Sequence, residues 1–279
     1  MKTVVSSKTK EVIIGDGQPT IIIGERLNPT GKTKMVKALQ DKDFDYLHKE
    51  AIKQVVKGAQ ILDVNVCVPG LDECGLLAEA VSFLKNKVEV PFCLDSDNPR
   101  TLEAVLKVYE GKPLINSVTG QEQSLNEVLP LVKKYKAAVI GLTMDEGGIP
   151  QEPQKRLEVA LKIVIKAEMM GIPRENIIID SLTLAVATDK DSALKTLETI
   201  KMIKEEIGVN QVLGVSNISF GLPLRHILNE AFISMVLSMG VTCLIADPSQ
   251  VRQTVLACDL LLGKDRFARN FIKSFREMK

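Results

Sequence analysis

The sequence predicts an α/β chain closed into a (β/α)₈ barrel, the TIM barrel architecture, and three observations carry that expectation. Eight short runs rich in Val, Ile and Leu recur at residues 21–23, 61–64, 92–94, 114–115, 138–142, 177–179, 212–215 and 242–246. Between them lie segments of helical periodicity, such as Leu157, Ala160, Leu161, Val164 and Ala167, or Leu194, Leu197, Ile200, Ile203 and Ile207. Stop signals follow these segments, Gly171-Ile172-Pro173 after one and Gly208 after the other. The apolar runs do not alternate with polar residues, which suits a parallel sheet covered on both faces. Eight such units in about 250 residues favour the closed barrel. A doubly wound open sheet is the alternative, but it usually has fewer strands, and no Gly-x-Gly-x-x-Gly follows the first run.

In chain order, Val12-Ile13-Ile14, the turn Asp16-Gly17 and Thr20-Ile21-Ile22-Ile23 read as a hairpin feeding the first core strand. The chain divides as a hairpin over 1–20, a barrel over 21–262 and a tail over 263–279, all in one domain. Residues 266–279 read as a basic amphipathic tail, a last helix with a solvated charged face.

A chain of 279 residues with 45% hydrophobic residues can bury one large core. Two small domains are the alternative. Lys and Arg (36) nearly cancel Asp and Glu (35), so no field of one sign recruits nucleic acid or an anionic membrane. No apolar run is long enough to span a bilayer and the first ten residues are too polar for a signal peptide, so a cytoplasmic location is expected. The five cysteines are odd in number and scattered, with no CxxC motif, and read as reduced thiols. His48 and His226 lie far apart in helical patterns and read as packing or surface residues. Thiolate zinc is therefore not expected, and no metal is assigned.

In a barrel the chemistry gathers at the C-terminal ends of the strands. There the chain places Glu25 and Asn28, Asp63 and Asn65, Asp95-Ser96-Asp97-Asn98, Asn116-Ser117, Thr143 to Glu146, Asp180-Ser181 and Ser216-Asn217. Any one of these fits a helix N-cap or a turn, but seven in succession point to a polar rim. Amides and carboxylates without a nucleophile–base pair do not suit acyl transfer or thiol chemistry. They suit a planar ligand rich in N–H donors, since Asp95 and Asp180 can accept and Asn116 can both donate and accept. A divalent cation is the competing explanation for the carboxylates.

The runs Gly24-Glu25-Arg26-Leu27-Asn28-Pro29-Thr30-Gly31, Leu62-Asp63-Val64-Asn65, Leu94-Asp95-Ser96, Ile115-Asn116-Ser117, Leu142-Thr143-Met144, Ile179-Asp180 and Gly214-Val215-Ser216-Asn217-Ile218-Ser219 carry a family likeness. Over residues 21–248 the chain resembles the pterin-binding methyltransferases. Among them it is similar to the methyltetrahydrofolate:corrinoid protein methyltransferases and to the folate domain of cobalamin-dependent methionine synthase. The resemblance implies that Asp95, Asn116 and Asp180 hold the pterin, and that Asn217 addresses N5 of the folate. It implies a supporting role for Gly214 and Ser216, and contact of Arg225 with the aminobenzoate or glutamate portion, although Arg225 also fits a helix-surface residue.

The activity so implied is methyl transfer between N5 of tetrahydrofolate and the cobalt of a corrinoid, with the direction not fixed. Neither His48 nor His226 sits in an Asp-x-His-x-x-Gly motif, so the corrinoid (cobalamin) is expected on a separate corrinoid-binding protein. Phe220-Gly221-Leu222-Pro223 forms an apolar lip that fits docking or helix-start packing. A homodimer is implied as well. The runner-up in the same fold is dihydropteroate synthase, which would want Ser-Arg-Lys where this chain has Ser216-Asn217-Ile218. A non-catalytic folate-binding subunit is the third reading.

Overall fold

The computed structural model describes residues 1–277. Two short strands, β1 (Lys2–Ser6) and β2 (Glu11–Gly15), open the chain. Then follow β3 (Ile21–Leu27), α1 (Thr33–Gln40), α2 (Phe44–Val56), β4 (Ile61–Val64), α3 (Glu73–Leu84), β5 (Phe92–Asp95), α4 (Pro99–Val108), β6 (Leu114–Thr119), α5 (Glu122–Tyr135), β7 (Ala138–Leu142), α6 (Pro153–Met169) and β8 (Ile177–Asp180). The chain continues through α7 (Ser192–Glu206), β9 (Asn210–Gly214), α8 (Arg225–Met239), β10 (Cys243–Ala246), α9 (Pro248–Leu261) and α10 (Arg269–Glu277). Strands β3 to β10 pair in parallel and in order, and β10 returns to β3, so the barrel closes.

Local chemistry sets the element ends. Asn98 accepts from the Arg100 amide at 3.0 Å ahead of Pro99, and Asp247 accepts from Ser249 at 3.0 Å ahead of Pro248. Each is a capping side chain followed by a proline at the first helical position, where the missing N–H would have no partner. Asn98 is thus a helix cap and not a rim ligand. Gly171 and Gly208 end α6 and α7 in the left-handed conformation (φ 79° and 73°), which favours glycine. The first run extends through Leu27, with an irregular register after Gly24. The seventh stops at Gly214, and Val215–Ser219 forms a 3₁₀ turn.

The hairpin differs from the sequence expectation. β2 pairs antiparallel with β1, Val4 opposite Ile13, through the turn after Ser6, and not with the run at Thr20. The first residues of the chain alternate in exposure, with Thr3 and Val5 buried, and supply the partner strand. The hairpin plugs the N-terminal end of the barrel. Val5, Val12 and Ile14 pack on the inward residues Ile21, Ile61, Cys93, Leu114, Ile178 and Val212. Asn210 pins it, its Nδ2 donating to Thr3 Oγ1 at 2.9 Å and to the Ile14 carbonyl at 3.1 Å.

Helix α10 follows a 3₁₀ turn and is capped by Asp265, which accepts from the amides of Asn270 and Phe271. Its Lys273 and Arg276 face outward, but so do Phe271 and Ile272, while Ser274 is buried. Residues 278 and 279 of the expected tail lie outside the described residues. No described helix is long and apolar enough to cross a membrane.

Ile14 is fully buried in the plug. Ile14→Ala should lower the unfolding free energy by about 3 kcal/mol, read by urea denaturation. A loss below about 1 kcal/mol would show that the hairpin packs on the barrel without holding it together.

Candidate functional site

Side chains alternate along a strand, so the inward set at the barrel's dry end fixes the next inward layer two residues on. From Ile61, Cys93, Leu114, Ile140, Ile178, Val212 and Cys243, that layer is Asp63, Asp95, Asn116, Leu142, Asp180, Gly214 and Ile245. The bulged end of β3 brings half-buried Glu25 to the same rim. Four polar side chains on neighbouring or nearby strands therefore form a floor across the mouth. Gly214 adds no side chain to that floor beside Asn217: a Cβ there would meet Asn217 Nδ2 at 3.5 Å, an ordinary contact.

The floor has an internal network. Asn116 Nδ2 donates to Asp63 Oδ1 at 3.1 Å, and Asn65 Nδ2 donates to Asp95 Oδ2 at 3.0 Å. The carboxyls of Asp63 and Asp95 lie close enough that each disfavours the charge of the other. Burial, then the charge of Asp95, pushes the Asp63 carboxyl well above the usual range, and burial raises Asp95 to about 6. Asp180 stands apart. It accepts from the Leu182 amide at 2.7 Å, and burial raises it to about 7 against the pull of that N–H and of Arg156. Burial raises Glu25 too, with Lys32 opposing. Lys32 Nζ donates to the carbonyls of Asn28 at 3.0 Å and Glu25 at 3.3 Å, which fastens this loop to the rim.

Asn217 sits in the turn after β9 with an exposed side chain whose amide makes no hydrogen bond among the described residues. The turn itself is tied down. Arg225 donates from Nη2 to the Ser216 carbonyl at 2.7 Å and from Nε to Ser219 Oγ at 3.0 Å, and Ser219 Oγ donates to buried Asn229 at 2.7 Å. So Asp95 and Asn116 stand side by side on β5 and β6, Asn116 is bonded to Asp63, and Gly214, Ser216, Asn217 and Arg225 cluster at one turn. No hydrogen bond among the described residues joins Asp180 or Asn217 to the other floor residues.

The model of the pterin binding enzyme family matches residues 24–247. The chain belongs to the pterin-binding enzymes. The pterin-binding chain is 33% identical over 267 residues to the methylcorrinoid:tetrahydrofolate methyltransferase of Eubacterium limosum, covering 93% of this chain and 97% of that one. It is 30% identical over 283 residues to the methionine synthase of Mycobacterium tuberculosis, where the match takes in 94% of this chain but 24% of the longer protein. Its fold matches the Yersinia pestis dihydropteroate synthase bound to a pterine–sulfa conjugate, with a TM-score of 0.71, 12% identity and coverage of 94% and 100%. Dihydropteroate synthase from Vibrio fischeri gives the same TM-score at 15% identity, covering 94% of this chain and 98% of that one.

Asp63 and Asn65 belong to the floor of this pterin-binding barrel, yet sequence reasoning placed them only on the rim. The signal for Asp63 is a carboxylate inside the apolar run Ile61-Leu62-Asp63-Val64, at the parity of an inward residue. Among the described residues no group of three acidic, Cys or His side chains could hold a metal ion.

The raised value of Asp180 sets a sign for stability. An unfolded Asp titrates at about 4, so Asp180 stabilises the ligand-free fold fully below that pH, and the contribution is lost as pH rises through about 7. Asp180→Asn should therefore flatten part of this slope and stabilise the ligand-free protein at pH 8. Urea unfolding across pH 4 to 8 measures it; a variant that tracks the wild type at every pH would mean that Asp180 titrates like an exposed carboxyl.

Proposed function

We propose that this protein moves a methyl group between N5 of tetrahydrofolate and the cobalt of a corrinoid held by a separate corrinoid-binding protein. One observation carries the reading: a buried acid-and-amide floor lies across the barrel mouth, with an exposed Asn217 amide beside Gly214 that makes no hydrogen bond among the described residues. The full-length likeness to a methylcorrinoid:tetrahydrofolate methyltransferase supports it.

In this reading the pterin lies flat over the floor. Asp95 and Asp180 accept from its ring N–H and amino donors, and Asn116 offers an amide to its heteroatoms. The raised affinity of these acids for protons has a direct use, because ligand N–H groups replace those protons. Asn217 hydrogen-bonds N5. An amide cannot supply a proton at ordinary pH, but it can stabilise N5 as its charge changes, a contact that strengthens in the transition state and so raises rate more than affinity. Gly214 sets no side chain beside that amide, and Ser216 with Arg225 fixes the turn. The Arg225 guanidinium is engaged with Ser216 and Ser219 and sits 5.9 Å from the Phe220 ring. It meets the aminobenzoate or glutamate portion from the rim.

The corrinoid cobalt supplies the atom that takes or gives the methyl group. This chain's contribution is an open mouth: Asn217, Phe220, Pro223 and Leu224 are all exposed around it, which fits admission of a large partner over the pterin. A homodimer in the cytoplasm completes the reading; exposed Ile227, Leu228 and Met235 on α8 suit a partner subunit. The dihydropteroate synthase alternative lacks its basic residues, since no Lys or Arg lies between β9 and Arg225.

The protein should transfer methyl groups between methyltetrahydrofolate and free cob(I)alamin, followed by absorbance. No transfer in either direction, with candidate corrinoid proteins also supplied, would reduce the site to folate binding. Asn217→Ala should lower kcat by about 10²-fold while the folate Kd moves far less. Equal losses in rate and affinity would take Asn217 out of the reaction.

A further inference from the structure

Outside the proposed contacts, Arg156 stands in the first turn of α6. Its side chain is fully buried, the largest such residue among those described. It makes no ion pair among the described residues, and its hydrogen bonds all run to carbonyls. Nε donates to Pro150 at 2.8 Å, and Nη1 donates to Ser181 at 3.1 Å and Leu182 at 3.0 Å. Nη2 is buried without a partner among the described residues. A buried guanidinium with an orphaned donor is a costly tie between loops. Three hydrogen bonds to neutral carbonyls do not balance that burial.

The geometry beside it does. Leu182 has φ 57°, the left-handed region that a branched residue rarely adopts. Two donors hold its carbonyl, Arg156 Nη1 and Thr196 Oγ1, the latter at 3.2 Å. Its N–H shares a peptide plane with the Ser181 carbonyl, which Arg156 Nη1 also holds, and so is aimed at Asp180 Oδ1, at 2.7 Å. Strain of this kind persists only where the surroundings over-determine the backbone.

We propose that Arg156 is a positioning residue for Asp180: it fixes the Ser181–Leu182 peptide whose N–H engages one carboxylate oxygen, and its charge favours the ionised carboxylate, with the other oxygen free for the ligand. The proposal rests on the pterin reading for the identity of that ligand. The neighbours of Asp180 leave Arg156 as the cation that acts on it. In register with Asp180, β7 presents Leu142 and β9 presents Val212. β10 presents the buried Cys243 thiol, whose loss of a proton the Asp180 charge opposes along with burial. The loop before α7 carries Asp189, whose charge acts on Arg156 and which is already paired with Lys195 at 2.7 Å. Burial opposes ionisation of Asp180, and the two groups that favour it are the Leu182 N–H and Arg156. Arg156 acts through both, since it also holds Leu182.

The test is a carbon-13 NMR titration of the Asp carboxyls in the ligand-free full chain, with the Asp180 signal assigned by its loss in Asp180→Asn. In Arg156→Met the Asp180 midpoint should rise by roughly one pH unit. In Arg156→Lys, which keeps the charge, it should stay within about a third of that. Folate binding measured across pH should fail at a correspondingly higher pH in the Met variant. A purely structural role predicts weaker folate binding by one factor at every pH with an unmoved Asp180 midpoint, and that result overturns the proposal. Should the Met variant not fold, a Lys variant whose midpoint rises by a full unit overturns the charge role, and one that stays near wild type supports it. A wild-type protein that binds no folate removes the pterin reading, while the Asp180 titration still decides the part played by Arg156.

Discussion

The rest of the structure depends on the cost of holding carboxyls inside a barrel. Asp63, Asp95 and Asp180 point into a space that, two residues deeper, is wholly apolar. An ionised carboxylate without partners is too costly to bury in such surroundings, so it takes up a proton or finds donors. The barrel uses both routes. Asp63 and Asp95 are pushed by burial toward the protonated form and collect amide donors from Asn116 and Asn65, whereas Asp180 relies on one backbone N–H and a buried cation. Each arrangement leaves lone pairs facing the mouth, and those are what a ligand rich in N–H groups can take.

The hairpin plug explains why that floor can stay polar without weakening the barrel. Val5, Val12 and Ile14 keep water from the lower layers, so the hydrophobic stabilisation of the interior is concentrated at one end. The opposite end is free to carry groups that do not favour folding. The raised carboxyl values place Asp180 and its neighbours among such groups above neutral pH, a cost of function that the packed shell of helices and the dry plug offset.

Much of this was legible in the sequence, for reasons that differ by element. All eight barrel strands stand where the apolar runs lie, because a strand buried on both faces leaves a continuous signature. Strand ends slipped: β6 continues to Thr119 and β9 stops at Gly214, where polar residues hide or mimic a boundary. The hairpin partner was missed because Lys2–Ser6 is half polar and its pairing is set by contact with the barrel floor. In the site, Asp95, Asn116 and Asp180 announce themselves by sitting at the ends of runs. Asp63 does not, since it lies inside one, and only the shared inward parity of neighbouring strands marks it. Arg156 had no signal at all. A basic residue in a helix's first turn reads as solvated, and its burial depends on a loop about 25 residues away.

The division between floor and turn has a mechanical consequence. The floor residues project from strands and are crossbraced, which suits groups that must meet a planar ring in one orientation. Asn217 projects from a turn whose backbone is clamped by Arg225 and Ser219, while its own side chain is unbonded. Rotation about its side-chain bonds therefore breaks no hydrogen bond, and the anchoring of the turn limits where the amide can go. A group that must follow a change of charge on one ligand atom needs that combination: a fixed pivot and a free end. A fully bonded amide would instead have to give up a partner at each reorientation, at about 1 kcal/mol or more in a partly dry site.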